Sequence, residues 1–300
     1  MAALLALTAC DLGRVTVGTT AKVLRRAQPA IRMESDYDLA ARAIPGALKT
    51  VEGFWVVAPD NENLIAILTE GFCQYGLAFV QDEWEQATFA GDLEAVAHLN
   101  GRATKIFTRC LNYALRSLGD KWQRDIFGTP EQVELLCRST GADRRDPLMW
   151  AAIALGSIIN HNLDNIEIVA QVSTVKRILA RVLELDAAQQ PKDRSFRALP
   201  YVALGQIESA STQTGDVAKA KQYFEQAIAL TTVDGQELYL LPRTIMAYRV
   251  GRLTRDRALY HQGLVKVLET APSVWPEQRL ANEVAHRRAR RYLKLEKELF

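Results

Sequence analysis

From Asp36 onward, apolar residues recur three and four positions apart, polar residues fill the gaps, and short turns interrupt the rhythm. That spacing lays the apolar side chains along one stripe of an α-helix. It predicts helices at about 36–58, 61–89, 92–118, 130–140, 146–162, 164–186, 195–212, 216–231, 237–250, 254–271 and 276–299. The punctuation agrees with these bounds. Pro45 falls inside the first helix and predicts a kink. Pro59-Asp60-Asn61 ends it and caps the next. Thr129-Pro130 supplies an N-cap and a first-turn proline. Gly141 and Gly215 mark turns, and Asp146-Pro147 opens a further helix. No stretch alternates strictly, and no hairpin dipeptide lies between two β-branched runs. The short connections predict antiparallel neighbours, so the fold class is all-α, a stack of helical hairpins.

Within the stack one segment carries a repeat pattern. From Gly215 to Leu230 the residues Ala220, Phe224 and Ala227 give the small, aromatic, small spacing of a tetratricopeptide (TPR) second helix. Small residues let the helix approach its partner, and the aromatic ring fills the space between hairpins. A second copy reads Val175, Leu179, Val182, ending in Leu183-Glu184-Leu185-Asp186. A third reads Ala47, Val51, Phe54, with Pro59 after it. Val175 and Ala220 are 45 residues apart, whereas the standard repeat takes about 34. The reading is therefore cryptic TPR-like repeats in long hairpins, a right-handed α-solenoid or bundle. A generic helical bundle offers the same small and aromatic spacing.

The first ten residues depart from this rhythm. Residues 2–9 form a short apolar run closing on small residues, like the h-region and cleavage end of a signal peptide. Leu7-Thr8-Ala9-Cys10 matches a bacterial lipobox, in which the Cys10 thiol forms a thioether with diacylglycerol and becomes the first mature residue. No Lys or Arg precedes Cys10, so the basic end of the signal is missing, as in a truncated sequence or a misplaced start. The organisation expected is a signal at 1–9, a lipidated N-terminus and tether at 10–35, and one TPR-like domain at 36–300. After residue 10 the longest apolar stretch, about 148–159, falls short of the ~20 residues a spanning helix needs. The lipid is then the membrane anchor. Cys73, Cys110 and Cys137 remain, each in a helical segment and none in a Cys-x-x-Cys pair. They are expected to be buried and unpaired, with one disulfide as the alternative in an oxidising compartment.

Charge narrows the function classes. Lys and Arg number 37 against 35 Asp and Glu, a net charge of +2. That balance argues against a protein built to hold nucleic acid. His98, His161, His261 and His286 show no zinc spacing. Nucleophile elbow, phosphate-binding loop and dinucleotide fingerprint are all missing from the sequence. No catalytic residue, metal site or cofactor is expected, and a hairpin stack favours a binding role. Four arginines crowd residues 287–291. With Val284, Ala285, Ala289, Tyr292 and Leu293 making an apolar stripe and Glu296 and Glu298 following, they read as a solvated face with local ion pairs.

Five segments taken together resemble one family. They are Glu70 to Val80; Arg102 to Leu118; Leu148 to Gly156 with Asn160 and Asp164-Asn165; the Gly215 segment; and Arg279 to Arg290. In their order, behind a lipobox, they are similar to the T component (TatT family) associated with tripartite ATP-independent periplasmic (TRAP) transporters. The similarity covers about residues 36–300. Met149 departs from it, standing before Trp150 where the family often has an aromatic. The resemblance implies a non-enzymatic lipoprotein on the periplasmic side of a bacterial membrane, inner or outer. It implies an accessory subunit that binds the periplasmic substrate-binding P component and holds or guides a small ligand, a hydrophobic one included. It also implies a homo-oligomer, a trimer. The alternative is a TPR lipoprotein that scaffolds envelope protein assembly. Candidate ligand or partner residues are Tyr75, Arg109, Tyr113, Trp150, Asn160 and Asn282. Of these, Arg109 and Tyr113 lie four apart on one face and are expected to join helices. Trp150 is expected in the core or lining a groove. Asn160 and Asn282 lie in apolar segments, where an amide needs partners from a helix or a ligand.

Overall fold

In the computed structural model, residues 12–210 and 215–300 are described. The lipobox and Cys10 lie outside them. The helices are α1 (Leu12–Arg32), α2 (Tyr37–Val57), α3 (Glu62–Tyr75), α4 (Gln81–Ala90), α5 (Leu93–Leu118), α6 (Asp120–Asp125), α7 (Pro130–Ser139) and α8 (Arg145–Asn160). They continue as α9 (Ile166–Val169), α10 (Val172–Ala188), α11 (Arg194–Glu208), α12 (Val217–Leu230), α13 (Leu241–Thr254), α14 (Arg257–Glu269) and α15 (Arg279–Leu299). A π-helical turn, Gly76–Val80, joins α3 to α4. The fold is all-α, as the periodicity predicts. Side-chain caps fix the starts: Asp36, Asn61, Asp92, Asp193, Asp216 and Asp256 each accept from a backbone N–H one turn in. Thr129 and Gln132 close a reciprocal capping box around Pro130. Each such cap contributes about 1 kcal/mol.

Several details differ from expectation. The stretch taken as a tether forms α1, with Val17 and Ala21 buried. Its inward stripe runs through Val17, Ala21, Leu24 and Ile31, at helical spacing that extends the rhythm back behind Asp36. Two charges complete the docking: Arg25 and Arg32 lie 2.9 and 3.5 Å from the buried Glu70 carboxylate. Helix α2 runs unbroken through Pro45. A two-residue hairpin, Thr232–Val233 against Gln236–Glu237, turns on Asp234 and Gly235, both with positive φ (49° and 79°). That is the Asp-Gly hairpin turn, hidden in the sequence because only one flank is β-branched.

Each hairpin packs on the next. Helix α2 packs on α3, α3 and α4 on α5, α5 on α8, α8 on α10, and α10 through α15 in succession. Then α15 returns to touch α1 and α2, so the stack closes on its own start. In α12, Ala220, Phe224 and Ala227 are fully buried, and a Cβ on Gly205 of α11 would stand 2.8 Å from the Phe224 ring. Val175, Leu179 and Val182 are buried too, but Ala47 is exposed and its neighbour Leu48 fills the core.

The cysteine expectation is corrected. Cys73 of α3 and Cys110 of α5 form a disulfide, the alternative expected, and among the described residues only Cys137 is free, and it is buried. The two helices are adjacent at this level, which no sequence spacing reveals. One continuous run, Glu62–Ala90, is long and apolar enough to cross a membrane by length and composition. However, 67% of its most apolar window is buried within the protein, because it is the central helix of the fold.

Candidate functional site

The apolar stripes of α1, α2, α3, α8, α10, α11, α13 and α15 do not meet in the middle. They leave a cavity of about 880 Å³, inside the roughly 300–1,000 Å³ range of small-molecule sites. Its walls are mainly aliphatic. Ile44, Leu48 and Val51 come from α2, one turn apart, and Ile31 comes from α1. Ile153 and Trp150 come from α8, and Leu280 and Val284 from α15. The π-helical turn contributes Leu77, Ala78 and Phe79. Two carbonyls of that turn receive side-chain donors. Tyr37 Oη donates to Ala78 O at 3.3 Å and Arg288 Nη2 to Leu77 O at 2.6 Å.

Arg288 on the α15 wall belongs to a charged cluster whose other members do not line the cavity. Arg287 Nε donates to Asp82 Oδ2 at 2.8 Å. Arg291 Nη2 lies 2.7 Å from Asp82 Oδ1 and 2.5 Å from Glu85 Oε2. Tyr292 Oη donates to Glu85 at 2.9 Å, and Arg287 stacks over the Tyr37 ring at 4.6 Å. Arg288 is buried, with Nε 3.9 Å from Asp82 and 4.0 Å from Glu85. The expected solvated arginine face is thus corrected. Arg287, Arg288 and Arg291 face α4, some two hundred residues earlier, because α15 folds back onto it, and Arg290 is exposed. Burial pushes the Asp82 carboxyl up, yet Arg291 and Arg288 outweigh it and hold it below the usual carboxylate range.

Four cationic side chains line the cavity: Arg32, Lys176, Arg249 and Arg288. Arg32 meets Glu70 at 3.5 Å and Lys176 meets Glu208 at 2.8 Å. Arg288 has the Leu77 carbonyl. Arg249, on α13, makes no hydrogen bond or ion pair to any described residue. Burial pulls its pKa below the usual arginine value.

The residues singled out from sequence separate into two groups. Tyr75, Trp150 and Asn160 line the cavity. The Tyr75 hydroxyl accepts from Arg102 at 2.7 Å, and Trp150 sets its ring edge-on to Phe196. The others lie elsewhere. Arg109 and Tyr113 converge on Glu52 of α2, at 2.9 and 3.0 Å, and join α5 to α2. Asn282 is fully buried and spends its amide on Leu238 O, Pro272 O and Leu240 N. Ala220, Phe224 and Ala227 serve packing. Among the described residues, no group of three His, Cys, Asp or Glu side chains could hold a metal ion. The histidines are dispersed. His161 is buried, with Nδ1 3.0 Å from Asn100 Oδ1 and Nε2 without a partner among the described residues.

Sequence reasoning missed Asp82, Glu85 and Arg249. Arg249 left one readable trace: it stands four residues after Ile245 and three after Met246, both buried. A charge on that side of a largely apolar helix needs a counterpart. The Asp82 and Glu85 pairings left none.

Comparison with known proteins follows the same bounds. A family model described as TAtT, TRAP transporter T-component, matches residues 33–300. Over 115 residues the chain is 31% identical to a protein of Treponema pallidum (strain Nichols) described as uncharacterized. That match covers 37% of this chain and 35% of the relative, so the chain matches about a third of that protein's length.

Proposed function

Since the chain belongs to the TRAP transporter T-component family and is therefore an accessory subunit of such a system, we propose that it holds or guides a small apolar ligand in its central cavity. It does so beside a substrate-binding P component, which it docks. The observation that carries this reading is the cavity itself, walled by helices from α1 to α15 and mainly aliphatic. Apolar walls of this kind favour a ligand by removing its surface from water, at about 25 cal/mol per Å². In this reading residues 36–300 act as one non-enzymatic domain. The protein faces the periplasm, held to the membrane by lipid on Cys10, and assembles as a trimer. The Cys73–Cys110 disulfide suits an oxidising compartment.

The test is binding of the neutral fluorescent probe N-phenyl-1-naphthylamine. The protein should bind it with a blue shift, and Ala203→Trp, which fills the cavity, should weaken it at least about tenfold. Binding equal in both proteins would remove the cavity from the proposal. Crosslinked pull-down of a P component, mass spectrometry of the native N-terminus and light scattering test the partner, the anchor and the trimer separately.

A further inference from the structure

We infer that the ligand of this cavity is an uncharged amphipath, with a carbonyl or hydroxyl oxygen held by Tyr239 and Gln81 and an apolar body among the aliphatic walls. The inference rests on the cavity reading above and adds the chemistry of the polar end. Polar side chains that line the cavity and are more than nine-tenths buried fall into two sets. In the first, each is matched within the fold. The Tyr75 hydroxyl accepts from Arg102 at 2.7 Å, and Arg288 donates to Leu77 O at 2.6 Å. Gln278 Nε2 donates to Ser195 Oγ at 2.9 Å, and Ser195 Oγ to Asp193 Oδ1 at 2.6 Å.

The second set is Trp150, Tyr239 and Gln81, at 3, 5 and 8% exposure. Their side chains have no hydrogen-bond partner among the described residues. The Trp150 ring has Phe196 against it. The Tyr239 hydroxyl and the Gln81 amide are open only to the cavity they line. Gln28, Asn160, Gln206 and Arg249 line it without side-chain partners too, but they are half-buried and water reaches them. A polar group taken out of water without a partner is costly, so Tyr239 and Gln81 favour a ligand that supplies one. Arg288 ties the two to one part of the wall. It binds the carbonyl of Leu77, one turn before Gln81, and its charge acts on the Tyr239 hydroxyl. Asp193 acts on that hydroxyl with the opposite sign, so the spot favours neither an anion nor a cation. Burial pushes the Tyr239 phenol up, which keeps it a neutral donor. With the two N–H bonds of Gln81 it offers donors to an oxygen. A few such groups in an apolar pocket fix a ligand's orientation and select against an analogue that lacks the oxygen.

The experiment uses the full chain, the naphthylamine probe and two competitors of similar shape, 2-acetylnaphthalene and 2-isopropylnaphthalene, which differ in the carbonyl. Competition is converted to a Kd with each protein's own affinity for the probe. In Tyr239→Phe and in Gln81→Met the ketone's Kd should rise about fivefold or more, as one lost hydrogen bond supplies, while the hydrocarbon's stays within about twofold. Tyr239→Phe removes an oxygen that bonds to nothing in the protein, so urea denaturation should find it as stable as the wild type. If the hydrocarbon alone binds, if the variants weaken both competitors alike or neither, or if Tyr239→Phe is less stable, the inference is overturned and the cavity reading stands. Failure of the probe and both competitors to bind the wild type removes the cavity reading and the inference with it. Should Gln81→Met not fold, Tyr239→Phe decides.

Discussion

Asp82 and Arg287 are 205 positions apart in the chain and 2.8 Å apart in space. Their contact is the closing seam of the fold, where the last helix lies against the fourth. Asp82 is fully buried and also receives Arg291, so removing its charge strands two guanidinium groups. Asp82→Asn should destabilise the protein by about 3–5 kcal/mol. Urea denaturation measures this, and a loss under about 1 kcal/mol would show the seam to be incidental.

A second prediction concerns acid. Burial pulls the His161 imidazole down to about 4, from an ordinary 6.5. Unfolded chains therefore bind a proton here between those values while folded ones do not. Stability from the neutral ring is complete above pH 6.5 and is lost as pH falls towards 4, by about 3 kcal/mol. His161→Phe should flatten that part of the stability curve relative to the wild type. Parallel curves for the two proteins would refute the assignment.

The disulfide closes a separation of 37 residues. Chain-entropy arguments put its contribution at about 4 kcal/mol. The double variant Cys73→Ala, Cys110→Ala should lower the midpoint of thermal unfolding accordingly. Burial pushes the remaining thiol, Cys137, up to about 11. It should resist alkylation at pH 8 in the folded protein and react at once on denaturation. Rapid labelling without unfolding would contradict its placement.

Helix α11 meets α12 where Gly205 faces Phe224. A methyl at Gly205 would enter the ring at 2.8 Å. Gly205→Ala should cost about 1–3 kcal/mol by overpacking, measured by urea titration. Gly46→Ala, where a Cβ meets nothing within 4 Å, should be neutral or slightly stabilising by the same measurement.

The sequence and the structure agree most where the periodicity was strong. The hairpins from Asp36 to Leu299 and the tight packing of Ala220 and Phe224 were readable from apolar spacing. So were the caps at Asn61 and Thr129. Helix α1 reads as a tether behind the lipobox, although Val17, Ala21, Leu24 and Ile31 mark its stripe; its docking also depends on Arg25, Arg32 and Glu70. The arginines of α15 read as a solvated face, since nothing in a linear pattern reports that α15 returns to α4. Half of the candidate site was legible for the same reason: Tyr75, Trp150 and Asn160 sit on apolar stripes.

The return of α15 to the first hairpins has a further meaning. An open array of helical repeats can grow by duplication, since each unit needs only its neighbours. This one ends upon its own beginning. Another hairpin inserted between α4 and α15 would carry Arg287 and Arg291 away from Asp82 and Glu85 and leave both sets of charges bare. The number of hairpins is thereby fixed by a handful of ionic contacts, and the enclosed space is fixed with it.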